Sequence, residues 1–461
     1  MGAFAGSRWG WNEWFILSQT VLAAALFLPG ITPVRTAIRV GSYLVGFVAW
    51  VAIERQGAAD PGARSFPARP WLLVCMGWLT LSLAHPNIYS VVTAVGQVML
   101  YITILSPAFW AGEAVRSPGQ IGRIMAVLFL CNALSATLGF AQVRYPGRFD
   151  PPVIPAMSNQ FAGEDMMYQT LDGRLIMRPC GLTDTPGGAA PAGASTALLG
   201  LCWALRPIAW WKRLAAAGLA FVGVAVIYYT QVRSVLIMLG ICLAVLTSLL
   251  AYQGNIRGAL SLVGGGAVAV AGSMFWVAQS LGGKVWDRFG VIFSGDVGNF
   301  LHAGRGKYVE EALGQQVWDH PLGYGLGWFG MVYTAFRDPL RPTPVWVEVM
   351  IPAWIMDGGI PLLVGYFGAL VVALFDSFRV ASTTRDPGLK FWAAVVVSLN
   401  LSILANCFSF VTFLSPIGPQ FWLLAAALHA ADARSRARPD RAASARRPRR
   451  PWNWPRAAPA R

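Results

Sequence analysis

Along most of this chain apolar residues do not alternate with polar ones; they fill whole stretches, separated by short clusters of Arg, Lys, Pro and Gly. A helix needs about 20 mostly apolar residues to cross the hydrocarbon of a bilayer, where every backbone N–H and C=O has to be bonded within its own segment. That ruler predicts spans near 14–29, 37–53, 70–84, 88–109, 122–141, 190–206, 212–229, 234–252, 258–277, 358–376, 391–408 and 412–430, with 345–357 as a further embedded or re-entrant candidate. The expected fold is all-α: a polytopic transmembrane helical bundle of about 12 spans over residues 1–432, with a long outer loop carrying short helices.

Composition supports this class. Of 461 residues 56% are hydrophobic and only 12% charged, where soluble proteins carry about 25%, and the mean hydropathy is +0.52. The net charge of +15 would suggest a nucleic-acid partner if it were spread out, but +9 of it lies between Ala433 and the C-terminus, so no nucleic acid is expected. That Arg- and Pro-rich stretch, 433–461, is predicted to be a disordered tail that grips anionic membrane lipids. Six Cys without CxxC or Cys/His ligand spacing indicate neither a disulfide scaffold nor a metal site. The N-terminus runs straight into an apolar segment, as a first span does.

Lys and Arg collect in short cytoplasmic loops. With a cytoplasmic N-terminus, twelve of them (Arg55, Arg64, Arg69, Arg116, Arg123, Arg206, Lys212, Arg213, Arg257, Arg379, Arg385, Lys390) fall inside, and three (Arg35, Arg39, Arg233) fall in short outer connections. Both termini are then cytoplasmic. Two long segments, 142–189 and 278–344, lie outside; connections of that length usually carry function. In the second, Tyr308, Val309, Ala312, Leu313 and Val317 recur at helical spacing, Pro321 ends the helix, and Gly323, Gly325 and Gly327 permit a tight, exposed turn.

The few charges on the outer side are the candidates for chemistry. Arg233, between two apolar helices, either snorkels to the interface or clamps an oxyanion with its fixed donors. Arg305, between two glycines, either is solvated or meets the same anion; Arg288, Arg35 and Arg39 are weaker candidates or interface anchors. His302 and His320, both in the outer loop, suit a proton shuttle or a solvated role. His85 and His429 rank lower. Glu348, alone in an apolar stretch, is a candidate base or an ion-pair partner of a loop Arg, and Asp357 a candidate cap for the next helix. Arg178, Asp184, Pro186, Gly187 and Gly188 form a polar lead-in to the sixth span that either bends around a headgroup or glycan or is a flexible entry. There is no GxxxxGK[ST], HExxH or dinucleotide fingerprint. A transporter of lipid-linked glycan stays open, although a carrier concentrates polar groups at the midplane and these gather at the outer face.

Four segments in order carry a resemblance: MRPCGLTDTPGGAAPAG, with Arg178, Gly181 and Pro186 as R-x-x-G-x-x-x-x-P; TQVRSVLIML as a small-residue/Ser/Arg helix start; GR followed by DHPLGYGLG; and DGGIPLLVGY as an acidic-x-G helix start. Over about residues 174–376 the chain resembles the O-antigen ligase and O-antigen polymerase-like superfamily of bacterial membrane glycan-assembly proteins. One departure matters. The family commonly has His-Asn about nine residues before the last acidic position; this chain has Glu348 there and no His between His320 and His429.

The resemblance implies a metal-independent, inverting glycosyl transfer at the periplasmic face of the cell inner membrane, without a cofactor. The donor is a glycan on polyprenyl diphosphate. The acceptor is a second lipid-linked glycan for a polymerase, or a lipid core or protein hydroxyl for a ligase; the missing His favours the polymerase. In that scheme Arg233, Arg305 and Arg288 hold the diphosphate, Arg305 also stabilises the leaving charge, and Glu348 or His320 is the base.

Overall fold

A computed structural model gives the fold. It describes residues 9–31, 34–55, 65–152, 167–169, 173, 175–290, 305–336, 345 and 347–445. Helices occupy all twelve segments expected to span: α1 (Trp11–Ala25), α2 (Arg35–Arg55), α3 (Arg69–Ala84), α4 (Val91–Trp110), α5 (Gln120–Arg144), α6 (Ala189–Ala204), α7 (Trp210–Thr230), α8 (Arg233–Tyr252), α9 (Ile256–Leu281) and, after the long loop, α13 (Met350–Thr383), α14 (Pro387–Phe408) and α15 (Ile417–Ala445). The loop itself carries α10 (Gly283–Gly290), α11 (306–319) and α12 (Gly330–Phe336). Among the described residues, eight helices are long and apolar enough to cross a membrane: α2, α4, α5, α7, α8, α9, α13 and α14. At 1.5 Å per residue, α1, α3 and α6 reach only about 24 Å, short of a core about 30 Å thick.

The bundle is all-helical, as expected; its first long loop adds one short antiparallel hairpin, Met167–Gln169 (β1) with Leu175–Met177 (β2). One expectation needs correction. The tail expected to be disordered from residue 433 instead continues α15 to Ala445. Arg436 there pairs with Asp432 one turn back and bonds Thr383, and Arg434 donates to the Gly112 carbonyl, which ties the start of this stretch to the bundle.

Local chemistry sets the helix ends. Ser90 and Thr93 cap the start of α4 reciprocally, Asn255 caps α9, and Asp386 caps α14 ahead of Pro387 in its first turn. Gln231, the one non-glycine with positive φ among the described residues, lets α7 turn directly into α8.

The closest helix contact is between α6 and α7, where a Cβ on Gly193 would lie 2.6 Å from the Gly223 carbonyl and one on Gly200 2.6 Å from that of Ala216. Small residues let these backbones touch. The glycine run of α9 is different: Gly264 faces open space, and Gly265 and Gly266 meet only leucine side chains.

At the centre, Trp354, Tyr366, Phe413, Phe421 and Trp422 form one aromatic cluster joining α13 to α15. Outward-facing apolar side chains such as Val268 and Phe375, 72% and 71% exposed, have no protein neighbour to cover them, as expected of a surface dissolved in lipid.

Charges separate to the two ends. One end gathers Arg69 with Glu113, Arg123 with Glu13, and Asp376 with Arg379 and His429. The other holds Arg35 and Arg39 on Asp184, and the long loop.

Candidate functional site

The sequences DHPLGYGLG and DGG turn out to be one structural unit. Within α13 the backbone leaves helical geometry at Gly359 (φ 63°, ψ −153°), just before Pro361, which cannot donate to a preceding turn. The loop after α11 fills the break. Tyr324 and Gly325 donate their backbone N–H to the Met356 carbonyl at 2.9 and 3.2 Å, Ile360 donates to the Pro321 carbonyl at 2.8 Å, and Trp78 Nε1 donates to the Gly358 carbonyl at 2.7 Å. The open backbone that could have served a carrier's ligand is thus occupied by protein. A Cβ on Gly359 would stand 2.1 Å from the Pro321 carbonyl oxygen, and one on Gly325 2.2 Å from that of Asn87, so both positions require glycine. Gly323, Gly325 and Gly327 all have positive φ as the turn demands, but they are buried against α13, Asn87 and Thr93 instead of exposed.

The helix α11 that leads into this loop buries Val309, Ala312 and Val317, while Leu313 is 45% exposed. A π-turn over Ala312–Gln316 widens the helix by one residue and rotates Leu313 off the expected stripe. Ala312 and Val317 pack against Ile355 on the first segment of α13.

At the start of α11, Arg305 ties three segments together. Its Nε donates to Glu348 Oε2 at 2.9 Å, and its Nη1 donates to the Ser409 carbonyl, on the connection between α14 and α15. Two of the five guanidinium donors serve these bonds, and the side chain remains 46% exposed, open to an anion from outside.

Arg233 begins α8, half-buried. Helices α8 and α14 run antiparallel: Gln253 bonds the Lys390 carbonyl, and Cys242 Sγ lies 2.9 Å from Ser402 Oγ. Continuing that register past the end of α14 carries the start of α8 toward residues 410–412, near the Ser409 carbonyl that Arg305 bonds. The structure therefore joins Arg305 to Glu348 and ends the Arg233 helix at the same level.

His320 is not brought to this pair. It closes the far end of α11, about 20 Å along the axis, with its ring edge-on to Tyr324 at 5.0 Å. The side chain of Arg288 and the whole of His302 lie outside the described residues. Asp357 does not cap a helix; it is 1% exposed and accepts from Gln97 Nε2 at 2.8 Å and Tyr101 OH at 2.9 Å. Gln97 and Tyr101 escaped the sequence reading, although two polar groups four residues apart in an apolar helix mark a single buried face. His429 is buried at the opposite end of the bundle, with Nδ1 2.8 Å from Asp376 Oδ2. His85 makes a local turn, accepting the Asn87 N–H at 3.2 Å.

The lead-in to α6 is folded. Gln142 accepts the backbone N–H groups of Cys180 and Gly181 at 2.9 Å each, and Ser135 accepts that of Leu182. Arg35 and Arg39, expected as interface anchors, both bond the Asp184 carboxylate. Burial pushes the Asp184 carboxyl up, but the hydrogen bonds and charges of Arg39 and Arg35 outweigh it and hold its pKa below the usual range. Burial pushes the neighbouring Cys180 thiol up to about 12, so it is not a nucleophile at neutral pH.

No family model matches this chain, and no curated protein matches it.

Proposed function

We propose that this chain is a protein of the bacterial inner membrane, crossing twelve times with both termini cytoplasmic, that transfers a glycan from polyprenyl diphosphate to a hydroxyl acceptor at the periplasmic face as an O-antigen or exopolysaccharide polymerase. The supporting observation is the Arg305–Glu348 pair at 2.9 Å, on the outer-loop helix and level with the end of the Arg233 helix. At rest the guanidinium holds Glu348 as an ion-pair partner. A diphosphate offers the same guanidinium a stronger bidentate acceptor. Exchange of partners breaks the Arg305 bond to Glu348. The acceptor oxygen attacks the anomeric carbon as the bond from that carbon to the diphosphate oxygen breaks, the electron pair leaves with the diphosphate, and the hydroxyl proton passes to Glu348. Attack opposite the leaving group inverts the anomeric centre. Arg305 and Arg233 neutralise the charge that develops on the leaving oxygen.

Deletion of the gene tests this. A polymerase deletion leaves surface glycan at single-unit length, whereas long lipid-linked glycan without an acceptor identifies a ligase. Complementation with Arg233→Ala, Arg305→Ala or Glu348→Gln should fail to restore chain length; full restoration by all three would sink the assignment.

A further inference from the structure

A cleft of about 750 Å³ opens between α2 and α3, at the end of the bundle opposite Arg305. Both helices pack on α4, and among the described residues α2 and α3 make at most a slight contact with each other. The floor is aromatic: Trp50 stacks on Phe109 with ring centroids 4.7 Å apart, and Phe47 lies edge-on to Trp50. One wall runs into outward-facing apolar surface, since Leu73 is 54% exposed and its neighbour Val74 64%. The cleft is therefore continuous with the face that lies in the hydrocarbon.

The rim is polar and balanced. On the α3 side, Arg69 pairs with Glu113 at 3.1 Å and also donates to the carbonyls of Ala108 and Phe109, which fixes it in place. On the α2 side, Glu54 and Arg55 stand next to each other at the helix end, both lining the cleft. An anionic headgroup placed here would meet two carboxylates, at a cost in repulsion that the two guanidiniums only offset. A quaternary ammonium has no N–H to give Glu54. A headgroup with one phosphate and one primary ammonium satisfies both: its phosphate accepts from Arg55 and its ammonium donates to Glu54.

We infer that this cleft is a binding site for a zwitterionic phospholipid bearing a primary amine, whose acyl chain lies on Trp50, Phe109 and Leu73 and whose headgroup bridges Arg55 and Glu54. The lipid completes the packing that α2 and α3 leave open. It acts on stability through binding the folded state alone, so the midpoint of unfolding rises with lipid concentration.

The test uses the full chain, delipidated in detergent, with phosphatidylethanolamine, phosphatidylcholine or phosphatidylglycerol added in mixed micelles. Thermal unfolding is followed, and retained lipid is counted by native mass spectrometry. Phosphatidylethanolamine should bind about tenfold more tightly than either other lipid and give the largest rise in Tm. Glu54→Gln and Arg55→Gln, both at exposed positions, should keep the lipid-free Tm and lose that preference. Equal shifts with all three lipids, tighter binding of phosphatidylglycerol, no retained lipid, or an unchanged preference in both variants would each overturn the site.

Discussion

Asp184 shows how a single buried charge is tied to stability and pH. It is 6% exposed and carries two arginines, Arg35 and Arg39, from the start of α2. Removing the acid takes the Asp184 bond from both guanidiniums, and breaking a buried pair from one side costs up to about 3–5 kcal/mol. Asp184→Asn should therefore lower Tm in detergent by several degrees. Because the folded pKa is depressed, the stability is fully present above the ordinary carboxylate range and is lost as pH falls through the folded value. A Tm series from pH 7 to 3 should fall in acid for the native chain and be flatter for the variant. Arg305 behaves differently. Half-exposed, its pairing with Glu348 is worth at most about 1 kcal/mol, so Arg305→Ala should leave Tm almost unchanged while cutting the proposed glycan transfer by about 10²–10³-fold. Arg305→Lys should recover little of that loss, because an ammonium lacks the planar fork. Residues of this kind were legible from sequence, since a lone charge in an apolar chain is conspicuous. Which charges meet was not: Asp184 lies 149 and 145 positions from Arg35 and Arg39, and Arg305 finds Ser409 through a backbone carbonyl that carries no residue-specific signal.

At the scale of elements, the helix break and its wedge decide where that pair can sit. The glycines of DHPLGYGLG and DGG could be recognised as permissive positions, but not as two halves of one contact, because their meeting depends on α11 and the first part of α13 running side by side. Gly359→Ala sets a Cβ against the Pro321 carbonyl at a φ that L-residues avoid, and should abolish folding or reduce expression sharply. Gly264→Ala is the matched control: helical, in open space, it should be neutral or stabilising by about 0.5–1 kcal/mol. Detergent-solubilised yield and Tm of the two variants separate a contact-bearing glycine from a merely helical one. Equal tolerance of both would mean that the loop does not seat in the break. The π-turn in α11 was invisible to periodicity for a related reason: one inserted residue shifts the stripe by about 100°, and nothing in VEEALGQQVW announces it.

At the scale of the whole molecule, helix positions followed from the length of apolar runs, because lipid imposes one ruler on every span. The number of crossings follows less directly, since α1, α3 and α6 are shorter than the hydrocarbon is thick, and such helices cross only by drawing interfacial residues inward or thinning the bilayer locally. Charge gives the independent constraint. The twelve loop Lys and Arg expected inside include Arg69 and Arg379, and the structure collects these two at one end, opposite Arg35 and Arg39. Twelve crossings with that end in the cytoplasm place Arg257, at the start of α9, inside, and Glu310, on α11, outside. Both side chains are exposed, whereas five of the six native cysteines are buried and Cys131 is half-buried, so background labelling is low. In spheroplasts an impermeant maleimide should label Glu310→Cys directly and Arg257→Cys only after lysis. The reverse pattern would put the Arg305–Glu348 pair in the cytoplasm, out of reach of a periplasmic acceptor. Labelling of both without lysis would mean that an even number of crossings separates Arg257 from Glu310, and the twelve-span topology would fall with it.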